Sequence, residues 1–167
     1  YEEPGAVFAA CAGAAAYRRE LFEKIGSFDE AHFAYLEDID VGWRARIAGY
    51  RNLYVPSAKV LHAGSGTSGS RYNEFKVSLS SRNNIYLIWK NMPFLQILLN
   101  LPLLAAGFGL KYLFFMKKGF GRTYAKGLRE GFRLCREGRK VRFHWKNLPS
   151  YVKIQLELWI NIAKRFG

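Results

Sequence analysis

Leu36-Glu37-Asp38-Ile39-Asp40-Val41-Gly42-Trp43-Arg44-Ala45-Arg46-Ile47-Ala48 is the stretch on which the reading of this sequence turns. Ile39, Trp43 and Ile47 recur every fourth residue, which places them on one apolar stripe and predicts a helix over 36–48. Gly49 follows where a helix ends. Glu37, Asp38 and Asp40 crowd its first turn. One reading is structural: acids complement the positive end of the helix dipole, and Asp40 faces Arg44 at i, i+4. The other is chemical. Carboxylates held close together keep their protons more tightly than isolated ones, which suits a general base that takes a proton from an attacking hydroxyl. Carboxylates also suit a divalent cation.

Outward from this helix the pattern mixes strands and helices. Upstream, 7–12 (VFAACA) reads as a short buried strand ending at Gly13, and 17–25 (YRRELFEKI) as a helix capped by Gly26. Phe28-Asp29-Glu30 marks a turn. Downstream, 52–55 and 58–62 read as strands separated by Pro56, and 63–70 (AGSGTSGS) as a loop. The expected class for residues 1–70 is α/β. His62 stands at the end of the last strand, a companion for the acidic cluster. Ser65 and Thr67 in the loop after it are small hydroxyl residues of the kind that cradle phosphate oxygens.

From residue 71 the character changes to nearly all helix, with segments over 72–91, 94–116, 120–137 and 150–166. Residues 94–116 are the most apolar, and about 20 residues suffice to cross a bilayer. Gln96, Asn100, Pro102 and Lys111 interrupt the run, so three arrangements stay open: a spanning helix, an interfacial or re-entrant pair broken at Pro102, and a buried helical hairpin. The expected organisation is a catalytic-type portion over 1–70 and a basic, apolar, membrane-associated region over 71–167.

The formal charge of +13 is unevenly spread. Residues 1–66 hold nine acids and seven bases, whereas 67–167 hold four acids and nineteen bases. A basic half attracts phosphate-rich partners. Nucleic acid is not the expected one, because the bases flank a long apolar run and no nucleic-acid motif is present. An anionic membrane surface is: bases follow the apolar run directly, and Trp145, Tyr151 and Trp159 suit an interface. Cys11 and Cys135 form no paired motif and are expected to be reduced.

The residues Gly26-Ser27-Phe28-Asp29-Glu30, followed by Phe33-Ala34-Tyr35-Leu36-Glu37-Asp38-Ile39-Asp40, resemble the family 2 glycosyltransferase pattern G-x-F-D-E, then F-x-Y-x-E-D-x-D. Arg44 or Arg46, Gly49-Tyr50, Tyr54-Val55-Pro56, Ala58, Val60 and His62 continue it over about residues 5–70. The nearest flavour is the rhamnosyltransferase-like branch that builds bacterial surface polysaccharides.

The resemblance implies the acceptor-side portion of a GT-A (Rossmann-like) domain and single-displacement transfer with inversion. It implies that Asp38 is the general base, with Glu37 and Asp40 orienting base and acceptor. It implies further that His62 is a ligand of a divalent metal (Mg or Mn), that Gly13 and Ala14 line the acceptor side, and that Arg82 meets the donor diphosphate. The partners implied are a nucleotide-sugar donor and a lipid-linked or glycan acceptor, and the implied location is the cytoplasmic face of the bacterial inner membrane. The chain departs from the pattern in one respect: no Asp-x-Asp after a strand precedes residue 37, since Asp38-Ile39-Asp40 lies in the acidic helix. With Tyr1 in first place rather than Met, the chain is expected to be a fragment lacking the donor-binding half and inactive by itself. The alternative is a non-catalytic membrane-anchoring or interaction fragment.

Overall fold

The computed structural model describes residues 3–61 and 72–166. The chain divides into two compact units, one formed by parts of 1–28, 38–59 and 142–167, the other by 29–37 and 60–141.

The first unit holds the sheet. Strand β1 (Gly5–Val7) runs antiparallel to β2 (Asn52–Tyr54), pairing Gly5 with Tyr54 and Val7 with Asn52. These two are the strands present among the described residues. The α/β expectation therefore holds only in a coarse sense: the structure is mostly helical, with a two-stranded sheet. The strand expected over 7–12 is shorter and earlier, because the chain turns into a 3-10 segment at Ala12–Ala14. Residues 58–61 of the strand expected at 58–62 carry no ladder.

Helix α1 (Arg19–Ile25) ends at Gly26, whose φ of 79° a side chain would strain. Helix α2 (Glu37–Ile47) contributes its Asp38–Ile47 part to this unit and is buried almost all round from Asp40 onward. Leu21, Val41 and Ala45 form the core, with Tyr17, Phe22, Ile25 and Tyr50 packed on it. Gly42 lets the chain at Ala9 come close: a Cβ there would sit 2.7 Å from Ala9 Cα. Trp43 meets Phe8 edge-on at 5.2 Å, so it belongs to the packing, as its place on the apolar stripe predicts. The last helix, α6 (Leu148–Phe166), belongs to this unit and buries Tyr151 and Ile154, although in sequence it continues the basic tail.

The second unit is helical. Helix α3 (Glu74–Asn91) starts at an Asn73 cap whose Oδ1 accepts from Lys76 N–H at 2.8 Å. It packs against α5 (Gly121–Glu137). The seam is set by glycine: a Cβ on Gly127 would lie 2.5 Å from Ser78 O, and one on Gly131 2.6 Å from Arg82 O.

Between them runs α4 (Phe94–Lys117), which continues through Pro102 without a break. Only 6% of its apolar window is buried, so the buried-hairpin arrangement is not the one adopted. It is also the one helix among the described residues long and apolar enough to cross a membrane. Its polarity is reversed relative to a water-soluble helix. Gln96 and Asn100 are buried, while Phe94, Leu95, Leu98, Leu99, Leu103 and Leu110 are exposed.

Candidate functional site

The acidic turn begins α2. Asp38 Oδ1 accepts from Ile39 N–H at 2.8 Å, and Oδ2 accepts from Ala12 N–H at 3.1 Å. The second bond ties Asp38 to the 3-10 segment that carries Gly13 and Ala14, so three residues singled out by sequence lie in one place. Ala12, Gly13 and Ala14 are exposed and Asp38 is half-buried, which leaves this carboxylate at an accessible surface. Each Asp38 oxygen takes one N–H and retains acceptor capacity for a further hydroxyl.

Asp40 is placed differently. Its side chain is fully buried, and Oδ2 lies 2.8 Å from Arg44 Nε. Arg44 in turn donates through Nη1 to the carbonyls of Ile25 and Gly26 and through Nη2 to Ser27. Asp40 therefore anchors the end of α1 to α2, the structural role that the i, i+4 spacing predicts. Glu37, in the second unit, has Oε2 buried with no hydrogen-bond partner among the described residues.

The segment before Glu37 is backbone-strained. Phe33, Tyr35 and Leu36 have φ of 61°, 70° and 71°, a region that residues with bulky side chains seldom occupy. Helix α3 holds it there. Asn83 Nδ2 donates to the carbonyls of His32 (2.8 Å), Ala34 (2.8 Å) and Tyr35 (2.7 Å). Arg82 Nη2 donates to Ala31 and His32 carbonyls, and its Nε to Asn83 Oδ1. Burial lowers the Arg82 pKa below its ordinary value, against the opposing field of Glu130. Arg82 thus reaches backbone through groups that sequence reading assigned to a diphosphate.

Asp29 completes the frame of this segment. Its Oδ1 accepts from Ala31 N–H, while Oδ2 accepts from Tyr86 OH at 2.8 Å and Lys90 Nζ at 2.6 Å. Burial by itself raises the Asp29 pKa. Hydrogen bonds from Lys90, Tyr86 and Ala31, with the Lys90 charge, outweigh it and bring the carboxyl from 3.8 down to about 2. Asn83 and Lys90 were not singled out from sequence. The one signal pointing to Asn83 was its place beside Arg82 on the helix expected over 72–91.

His62, Ser65 and Thr67 lie outside the described residues. Among the described residues no cluster of three His, Cys, Asp or Glu side chains stands ready for a metal. Asp40 is committed to Arg44, and Asp38, with one N–H on each oxygen, is a single carboxylate and not a donor set by itself. Cys11 and Cys135 are free thiols.

No protein-family model matches the chain, and no solved structure matches it. Among curated proteins, a 52-residue segment, 31% of the chain, is 48% identical to N-acetylglucosaminyl-diphospho-decaprenol L-rhamnosyltransferases from two strains of Mycobacterium tuberculosis. The matched segment amounts to 17% of the length of each of these relatives. The likeness is to a glycosyltransferase, over a local stretch.

Proposed function

We propose that this chain is the acceptor-side portion of an inverting family 2 glycosyltransferase, working on a nucleotide-sugar donor and a lipid-linked or polysaccharide acceptor at the cytoplasmic face of a bacterial inner membrane. The 48% identity to rhamnosyltransferases carries the reading. The bond from Ala12 N–H to Asp38, which joins the expected base to the expected acceptor-side turn, supports it.

In the proposed reaction the acceptor hydroxyl lies against Asp38. Its oxygen attacks the anomeric carbon of the donor, the bond from that carbon to the diphosphate oxygen breaks with the electron pair leaving on the nucleoside diphosphate, and Asp38 takes the hydroxyl proton. One displacement inverts the anomeric centre. A diphosphate contact by Arg82 is carried in this proposal only through Nη1, since Nε and Nη2 hold backbone and Asn83. A divalent cation, Mg or Mn, enters through His62 alone and would add charge stabilisation at the leaving diphosphate. Ser65 and Thr67 are proposed as phosphate contacts on the same basis as in the sequence.

Membrane contact is part of the proposal. Helix α4 turns Gln96 and Asn100 inward and its leucines outward, the arrangement that hydrocarbon rewards and water penalises. The decisive experiment is Asp38→Asn in a protein where a donor-binding half is joined to this chain. Transfer is expected to fall by at least a hundredfold with donor affinity unchanged. Turnover equal to wild type removes Asp38 from the mechanism.

A further inference from the structure

The first unit contains a cavity of about 370 Å³ that the glycosyl-transfer reading does not use. Its charged and polar lining comes from the end of α2 (Arg46), from Arg51 and Asn52 at the start of β2, and from the first turns of α6 (Ser150, Lys153, Glu157). Three cations therefore face one carboxylate. Arg46 is the centre of the arrangement. Its guanidinium lies over the Phe8 ring at 4.9 Å, and its Nη2 donates to Glu157 Oε2. Its Nη1 is buried and has no hydrogen-bond partner among the described residues.

A buried guanidinium N–H without an acceptor is costly, because its hydration is lost and nothing replaces it. Glu157 neutralises only one of the three positive charges. The Glu157 pKa is lowered chiefly by its hydrogen bond to Arg46, so it stays charged and cannot relieve the imbalance by taking a proton at neutral pH. What is missing is an anion with several acceptor oxygens. A phosphoryl group supplies this: oxygens for the exposed Arg51 and Lys153 at the rim and for the Ser150 hydroxyl, with the Arg46 charge beside them. The volume accommodates a phosphate or diphosphate group.

We infer that this cavity is a phosphoryl-anion site, with Arg51 and Lys153 as the clamp and Arg46 as a further positive charge beside them. The site shares no residue with the Asp38 surface and does not depend on the transfer reaction. Two sources offer the same chemistry, a phospholipid headgroup and a free phosphate compound. On α6, Val152, Leu156 and Ile160 are exposed and apolar beside the cavity-lining Lys153 and Glu157, which gives a lipid source a place for its chains.

The test uses the full chain and inorganic pyrophosphate as the probe, by calorimetry at low and at physiological salt. Binding is expected, and it should weaken at least tenfold in the double variant Arg51→Gln/Lys153→Gln, whose changes sit at exposed positions, with folding checked by circular dichroism. Glu157→Gln removes the competing carboxylate and should tighten binding several-fold. Pyrophosphate affinity that is unchanged in the double variant, or no binding by the wild-type chain, overturns the inference. Vesicles of phosphatidylcholine with and without phosphatidylglycerol identify the source. A gain from phosphatidylglycerol that pyrophosphate competes away and the double variant lacks assigns a headgroup. A gain that survives in the double variant, while pyrophosphate binding is lost, assigns a free phosphate compound.

Discussion

Arg44 Nε lies 2.8 Å from Asp40 Oδ2, one turn along α2, with the two side chains 7% and 0% exposed. The same guanidinium collects the carbonyls of Ile25, Gly26 and Ser27 and so closes the end of α1 onto α2. Removing Asp40 leaves a buried cation with no counter-charge. Asp40→Ala is expected to cost about 3–5 kcal/mol in urea unfolding, whereas a joint Asp40→Leu/Arg44→Met replacement recovers much of that loss. A single variant as stable as wild type would show that the pair is not what holds α1.

Asn83 is the tightest tie on the strained segment. Its two amide hydrogens serve three carbonyls, those of His32, Ala34 and Tyr35. Asn83→Ala removes the Asn83 donor from all three, leaving Arg82 Nη2 on the His32 carbonyl, and should destabilise the second unit by about 1–3 kcal/mol. Asn83→Asp should be worse, since it sets carboxylate oxygens against carbonyls. Amide exchange across 30–37 is the measurement, and faster exchange there than in α5 is the expected result.

These two relationships divide what the sequence revealed from what it hid. The Asp40–Arg44 pair was legible because i, i+4 spacing on a helix is a local rule, and the apolar stripe of Ile39, Trp43 and Ile47 gave α2 nearly to the residue. The turn of the chain through Phe33, Tyr35 and Leu36 was not legible. Bulky side chains disfavour positive φ, and the hydrogen bonds that hold it come from α3, some fifty residues away in sequence. Arg82 stood out through the family resemblance, while its backbone contacts depend on that hidden turn. The two-stranded sheet is smaller than the alternation of apolar segments implied, because 8–12 gives up its ladder to the 3-10 segment that meets Asp38.

The Asp29 site predicts a pH dependence with a definite sign. Its folded pKa, about 2, lies below the ordinary 3.8. The unfolded chain therefore binds the proton more readily, and the contribution of Asp29 to stability is full above about pH 4 and is lost as pH falls toward 2. Stability measured by urea between pH 5 and 2 should drop in wild type and drop less steeply in Asp29→Asn, which starts lower at neutral pH. In Lys90→Met the loss should begin at higher pH, because burial then acts on the carboxyl without its strongest opponent.

The α3–α5 seam depends on hydrogen in place of a side chain. A methyl at Gly127 or Gly131 would run into the backbone of α3 at Ser78 or Arg82. Gly131→Ala is expected to destabilise by about 1–3 kcal/mol through forced separation of the helices. Gly107→Ala is the control, since nothing lies within 4 Å of a Cβ there. Because alanine favours a helix over glycine by about 1 kcal/mol, that control should be neutral or stabilising in thermal unfolding. If both substitutions behave alike, the close approach of the two helices is not what fixes the seam.

Helix α4 gives the last prediction. Its 24 residues extend about 36 Å at 1.5 Å each, longer than a hydrocarbon core of about 30 Å. Among the described residues nothing fully covers Leu95, Leu98 or Leu99, each more than half exposed, while Gln96 and Asn100 turn inward and Asn100 Nδ2 donates to Gln96 O at 2.7 Å. In water this arrangement exposes a large apolar face, and in lipid it keeps the polar side chains of Gln96 and Asn100 away from the hydrocarbon. The chain should therefore float with phosphatidylcholine vesicles even at 1 M salt, where charge attraction is screened to about 3 Å. Leu98→Asp/Leu103→Asp should cut flotation by an order of magnitude or more, since each acid costs about 2.5–3.5 kcal/mol at the centre of a helix in a membrane. Resistance to alkaline carbonate then assigns α4 to a spanning position, and release assigns it to the interface. Flotation that high salt abolishes would place the attraction in the basic residues of α5 instead of in the leucines of α4.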